Sequence, residues 1–76
     1  MNALKRITFD PQVMGGKPCI RGLRVTVGTI VGLLAADKTS KEILQAYPYL
    51  EEEDIHEALV YAAWRVDEIE HPLRVV

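Results

Sequence analysis

The 76-residue sequence has little cysteine and few aromatic residues: Cys19 is its one cysteine, and aromatic side chains make up 7% of the chain. A single cysteine excludes an internal disulfide and a multi-cysteine zinc site. No apolar run approaches the roughly 18 residues that a membrane span needs, and no basic segment followed by an apolar stretch marks the N-terminus for export. These absences predict a cytoplasmic protein with no membrane partner.

The short length predicts one domain over 1–76, because two smaller pieces could not each build a core. A domain of this size buries only about 60% of its unfolded-chain surface and needs a metal, disulfides or a partner subunit to be robust. We expect three parts. A β-hairpin with a basic loop covers 1–25, a three-helix core covers 26–68, and a short tail covers 69–76.

The first part of the chain is expected to be extended. Ile7 and Phe9 alternate with polar residues, which is the pattern of a half-buried strand. A turn over 13–18 contains two glycines and a proline. Two short extended pieces follow, over 19–21 and 23–25. A small hairpin or a three-piece sheet fits these signals.

Three helices joined by short turns are predicted next. Their approximate ranges are 27–36, 40–46 and 52–68. Thr26 can cap the first helix, Asp37 can adopt the left-handed conformation that ends it, and Thr39 with Glu42 has the spacing of a capping box for the second. The expected fold class is mainly α with a small N-terminal β element: a helix-turn-helix-like domain after a short β-hairpin.

The first helix is apolar nearly all round, which indicates that it is covered on more than one side. In so small a protein the second cover is most simply another copy of the same chain. We therefore predict a homodimer whose interface includes five apolar residues of this helix. They are Val27, Ile30, Val31, Leu33 and Leu34.

Charge is segregated along the chain, although the net charge is only −2. The first 25 residues hold five cations and one acid, whereas residues 51–76 hold eight acids and two cations. The basic part is predicted to contact a partner protein or a nucleic acid. Its cations are Lys5, Arg6, Lys17, Arg21 and Arg24. The alternative is that the two ends attract each other, within a subunit or across a dimer.

No pattern of residues in the sequence strongly indicates catalysis. The segment 15–22 differs from a phosphate-binding loop because Pro18 follows the lysine and no helix begins there. Glu52, Glu53 and His56 lie close enough on a helix to offer metal ligands, but a solvated helix start explains them as well. We predict no enzyme activity, no metal site and no cofactor.

A helix-turn-helix-like core raises the question of DNA binding. The helix that would enter the major groove begins with four acids over 51–54, and phosphates repel carboxylates. DNA would therefore have to be bound by the basic hairpin.

Tyr61 and Trp64 are expected beside the core face of the third helix; a partly exposed Trp64 would instead be an interface anchor.

Short motifs over roughly residues 5–66 form a recognisable set. They are Arg6-Ile7, Asp10-Pro11, Gly15-Gly16-Lys17-Pro18, Ile20-Arg21-Gly22, Arg24-Val25, Val27, Glu42-Ile43-Leu44, Tyr47-Pro48, Leu50, Asp54-Ile55, Ala58-Leu59 and Tyr61-Ala62. The set resembles the prokaryotic domain-of-unknown-function family numbered 433, whose members are often labelled VapB-type antitoxins. Two positions depart from it: Asp37 replaces a usual glycine, and Glu51 replaces a common Thr or Ser cap.

The resemblance implies a commonly dimeric, helix-turn-helix-like protein that neutralises a PIN-like ribonuclease toxin and often represses its own operon. Such a nuclease holds Mg²⁺ with clustered carboxylates, and a basic loop can cover that site. Our hypothesis is an antitoxin-like interaction protein of a type II toxin-antitoxin system, with Lys17, Arg21 and Arg24 facing the toxin. The alternative is a small DNA-binding transcriptional regulator that uses the basic hairpin.

Overall fold

The structure, a computed structural model, describes residues 4–70. The strands and α-helices in chain order are β1 Ile7–Thr8, β2 Cys19–Ile20, α1 Val27–Ala35, α2 Ser40–Ala46 and α3 Glu52–Glu70, with a short 3-10 helix over Met14–Gly16 between the strands. The expected fold class, mainly α with a short N-terminal hairpin, is confirmed. Of the predicted tail over 69–76, the first two residues continue α3 and the rest lies outside the described residues.

The two strands form an antiparallel pair. Ile7 lies opposite Ile20, and Thr8 lies opposite Cys19. The sheet has two strands, and an isolated bridge joins Cys19 of β2 to Thr26 just before α1. Thr26 is also the residue that starts α1, and the sheet therefore leads directly into the helices.

The helix starts follow the caps expected from the sequence. The Thr26 hydroxyl oxygen accepts a hydrogen bond from the Thr29 amide at 3.0 Å. At α2, the Thr39 side chain accepts from the Glu42 amide at 3.1 Å, and the Glu42 carboxylate accepts from the Thr39 amide at 2.9 Å. These reciprocal bonds are a capping box, and they satisfy amides that have no partner inside the helix.

The end of α1 depends on Asp37. Its φ is 68°, in the left-handed region that side chains seldom adopt. The Asp37 amide donates to the Leu34 carbonyl at 3.0 Å, and the Lys38 amide donates to the Leu33 carbonyl at 3.0 Å. This pair of bonds is a Schellman motif, which satisfies the last carbonyls of the helix and turns the chain toward α2.

The core lies between the sheet and the three helices. Its buried apolar residues are Ile7, Ile20, Val25, Val27, Ile30, Ile43, Leu50, Ile55 and Ala58. From residue 59 to residue 68 no side chain of α3 is buried, so the second half of this helix extends past the core. Within the described part of the chain, no helix has both the length and the hydropathy of a membrane span.

Two residues of the predicted dimer interface belong instead to this core. Val27 is 4% exposed and Ile30 is 0% exposed, because both pack inside their own chain. Placing them between subunits was therefore wrong: a side chain buried by its own fold has no surface left for a partner. Val31, Leu33 and Leu34 are only partly buried, and their part in a dimer stays a prediction.

Candidate protein-interaction site

A tight turn follows β2 and presents Arg21. Arg21 and Gly22 both have positive φ, 46° and 72°, and the Leu23 amide closes the turn onto the Ile20 carbonyl at 2.7 Å. Positive φ at both central residues is the pattern of a type I′ turn. Glycine adopts it freely, whereas an arginine there needs other contacts to hold it.

Those contacts come from the loop before α3 and from its first turn. Arg21 Nε donates to Asp54 Oδ1 at 3.0 Å, and Arg21 Nη2 donates to Asp54 Oδ2 at 2.8 Å. The same Nη2 also donates to the Tyr49 carbonyl at 2.9 Å. An arginine bound to both oxygens of a carboxylate is held in direction as well as in distance.

Asp54 is the centre of this network and is the one charged residue among the described residues that is fully buried. It also accepts a bond from Arg6 Nη1 at 2.9 Å and one from the Glu51 amide at 2.8 Å. Burial alone raises the pKa of Asp54, but the Arg21 side chain, the Glu51 amide and the Arg6 side chain outweigh it and lower the pKa to about 2. The carboxylate is therefore ionised at neutral pH.

Arg6 connects β1 to the same helix. Its guanidinium bonds Glu51 at 2.6 Å as well as Asp54, and its backbone amide donates to the Glu57 carboxylate at 2.9 Å. The hydrogen bonds from Glu51 and Asp54 raise the pKa of Arg6 above its ordinary value. The N-terminal hairpin is thus bonded to α3 at two places, through Arg6 just before β1 and through Arg21 just after β2.

Two of the five cations expected at a partner, Arg6 and Arg21, are therefore engaged inside the chain. For Arg6 and Arg21 the structure supports the alternative to a partner contact, which is attraction between the basic and the acidic parts of one subunit. Lys5, Lys17 and Arg24 are exposed, and none of the ion pairs between described residues includes them. Their contact with a partner stays a prediction.

The start of α3 remains acidic on its outside. Asp54 is buried, but Glu51, Glu52 and Glu53 are exposed. Within residues 4–70 no group of three or more His, Cys, Asp or Glu side chains is arranged to hold a metal ion, so Glu52 and Glu53 do not form one with His56.

A second feature lies where the N-terminal segment meets the middle of α3. We call it the aromatic groove. It is lined by Leu4, Ile7, Phe9, Tyr61, Trp64 and Arg65 and has a volume of about 300 Å³. The ring centroids of Phe9 and Tyr61 are 5.9 Å apart, and those of Tyr61 and Trp64 are also 5.9 Å apart. Tilted rings at this distance attract each other and hold the wall of the groove in place.

Leu4, Phe9 and Arg65 are the residues of this groove that the sequence did not indicate as part of a site. Phe9 was expected in a half-buried strand, but it lies just after β1 and is 58% exposed. The Arg65 guanidinium lies 5.9 Å from the Trp64 ring centroid, within the range of a cation–π contact. Trp64 itself is partly exposed, which is the condition under which the sequence predicted an interface anchor.

Comparisons with known proteins agree with this fold. The family model described as "Protein of unknown function (DUF433)" matches residues 7–62. A relative from Sinorhizobium fredii, "Uncharacterized protein y4eO", is 38% identical over 56 residues, which are 74% of this chain and 25% of that protein. The chain thus spans about a quarter of the length of this relative.

A solved structure is also similar. The crystal structure of a DUF433 member protein from Anabaena variabilis has a TM-score of 0.77 and 32% sequence identity, and the match covers 91% of this chain and 68% of the other. The family match includes β1, β2, α1, α2 and the first half of α3. With the fold and the family model in agreement, the chain belongs to the DUF433 family of proteins of unknown function.

Proposed function

We propose that this chain is a protein-binding module, and more narrowly an antitoxin-like protein that binds and neutralises a PIN-like ribonuclease. The observation that carries the proposal is the aromatic groove, where a phenylalanine is 58% exposed beside a tyrosine, a tryptophan and an arginine. Aromatic residues and arginine are the types most enriched at the energetic centres of protein interfaces. The narrower partner comes from the family resemblance.

The remaining exposed cations fit the same partner. Lys17 and Arg24 are free of ion pairs with the described residues and flank β2 and its turn. A ribonuclease of the PIN type presents a carboxylate-rich metal site, which a cationic loop complements. In this proposal the groove supplies affinity, while Lys17 and Arg24 cover the catalytic carboxylates of the toxin.

A DNA-binding regulator is the second candidate, because Lys5, Lys17 and Arg24 are exposed. Against it, the helix end that would enter the major groove carries three exposed carboxylates, Glu51 to Glu53, and phosphate attraction supplies most of the affinity of such proteins. The three exposed cations of the basic N-terminal part would have to overcome that repulsion, so protein binding is the better supported function.

The test is co-expression of this chain with the product of the adjacent gene, followed by capture on a tag and a ribonuclease assay. We expect a complex and a silenced nuclease. Phe9→Ala and the pair Lys17→Glu with Arg24→Glu should weaken both. Leu59→Ala and Lys41→Glu are the matched controls, since Leu59 is 43% exposed on another side of α3 and Lys41 is exposed on α2.

A salt titration separates the two candidates. Binding to a DNA duplex should weaken steeply as salt is raised, whereas a packed protein interface should weaken less. Capture of DNA but of no protein by the purified chain would overturn the antitoxin proposal in favour of the regulator.

A further inference from the structure

We propose that the aromatic groove binds an apolar side chain of a partner protein segment that also carries a carboxylate, with Arg65 pairing with that carboxylate. The inference deepens the proposed function, since it rests on the chain being a protein-binding module and says which chemistry the partner presents. It differs from the toxin-site contact of Lys17 and Arg24 in both its residues and its place in the fold.

The size and lining of the groove indicate the apolar part of the partner. A volume of about 300 Å³ is at the lower limit of small-molecule sites, roughly 300 to 1,000 Å³, and suits one or two side chains. Five of the six lining residues are aliphatic or aromatic, and none of these five carries a charge. A leucine or phenylalanine side chain would be removed from water there, which is favourable in proportion to its apolar area.

Arg65 indicates the charged part. It is the one charged residue that lines the groove, and no ion pair between described residues includes it. Glu57, which precedes it by two helix turns, already accepts the Arg6 amide at 2.9 Å. Glu68 lies one turn after Arg65 but makes no ion pair with it. A guanidinium that lies beside an apolar surface and is not paired with a carboxylate of residues 4–70 is complementary to an acidic group on the partner.

The groove is formed before any partner arrives. Its two walls come from the N-terminal segment and from α3, and these are fastened by Arg6 to Asp54 at 2.9 Å. Phe9, Tyr61 and Trp64 support one another through their rings, and Arg65 lies against Trp64. These contacts already orient part of the lining, so less side-chain freedom is lost when a partner binds.

Trp64 makes the groove observable, because it is the one tryptophan of the chain. Its fluorescence is titrated with three short blocked peptides of the same length: one with leucines and glutamates, one with the glutamates replaced by lysines, and one with the leucines replaced by serines. The leucine–glutamate peptide should shift the Trp64 emission saturably. Its affinity should be about two- to fivefold higher than that of the lysine peptide, because one exposed ion pair usually changes an affinity by that factor. The serine peptide should give no saturable shift.

Reversing the charge of Arg65 tests the inference more sharply than the wild-type titration does. In Arg65→Glu the preference should invert, so that the lysine peptide binds more tightly, while Lys41→Glu should keep the original order. Phe9→Ala should weaken both leucine peptides, and Leu59→Ala should not. Circular dichroism of each variant verifies that it is folded. An unchanged order in Arg65→Glu, or no saturable shift with any peptide, overturns the inference.

The same variants separate this inference from the proposed function. If the ribonuclease is captured equally by the wild type, Phe9→Ala and Arg65→Glu, the antitoxin role stands and the groove has no part in it. If the peptides bind as described but no ribonuclease is captured, the groove chemistry stands and the antitoxin role fails.

Discussion

Arg21 donates to both carboxylate oxygens of the fully buried Asp54, at 3.0 Å and 2.8 Å. The two residues are 33 positions apart, so one ion pair bonds the turn after β2 to the first turn of α3. The Asp54 carboxylate is the buried member of this network, whereas the side chains of Arg21 and Arg6 are 36% and 28% exposed. The charges left when Asp54 is neutralised are therefore partly solvated.

Asp54→Asn should lower the free energy of unfolding by about 2 kcal/mol, because it removes the charge from three side-chain hydrogen bonds of Asp54. The asparagine keeps the shape but leaves Arg6 and Arg21 without their anion. Urea unfolding at neutral pH measures the change. The matched control is Glu53→Gln, an exposed acid one residue earlier, which should change the stability by less than about 0.5 kcal/mol. Equal effects of the two substitutions would contradict the central role of Asp54.

Acid should weaken the protein through the same residue. The pKa of Asp54 is about 2 in the folded chain against an ordinary 3.8, so the folded state favours the ionised form. The stability from this shift, about 2 kcal/mol, is fully present above the ordinary pKa and is lost as the pH falls from about 4 toward 2. Unfolding free energies of the wild type and Asp54→Asn, measured from pH 6 to pH 2.5, should converge at the acid end. A constant difference would contradict the assignment.

Two glycines should respond to alanine with opposite signs. Gly22 has φ 72°, and nothing lies within 4 Å of the Cβ that alanine would add, so only backbone strain opposes the change. Gly22→Ala should destabilise the chain by about 1 kcal/mol. Gly32 lies inside α1 with equally open space, and Gly32→Ala should stabilise it by about 1 kcal/mol. Thermal unfolding measures both, and a shift of the same sign in the two variants would contradict this account.

The proposed homodimer through Val31, Leu33 and Leu34 can be tested without disturbing the core. Ala35 is exposed one helix turn after Val31, so Ala35→Glu adds charge to this face of α1. We expect the dissociation constant of the dimer to rise by about tenfold or more, because two carboxylates would face each other. Sedimentation over a dilution series is the measurement, with Lys41→Glu as the control. A wild-type chain that stays monomeric at every concentration would remove the dimer from the proposal.

The helices were predictable because their signals are local. Thr39 and Glu42 form a capping box from their spacing alone, and Asp37 ends α1 through its own backbone preference. Each of these features involves residues that are close together in the chain.

The charged network could not be derived from spacing. Arg6 and Asp54 are 48 positions apart. The number of charges along the chain does not distinguish an ion pair within the chain from a charged surface that binds a partner. One signal was present: Arg6, Arg21 and Asp54 all belong to the motifs on which the resemblance to the family was based. Phe9 was placed wrongly because alternation predicts burial only while the strand continues, and β1 ends at Thr8.

The complete burial of Asp54 has a practical consequence for every binding experiment on this protein. Dissolved ions screen charges that are open to solvent far more than charges enclosed by protein. Added sodium chloride should therefore weaken contacts of the exposed Lys17 and Arg24 more than the ion pairs of Asp54 with Arg6 and Arg21. Affinity that is lost as the salt is raised then reports mainly on the exposed cations.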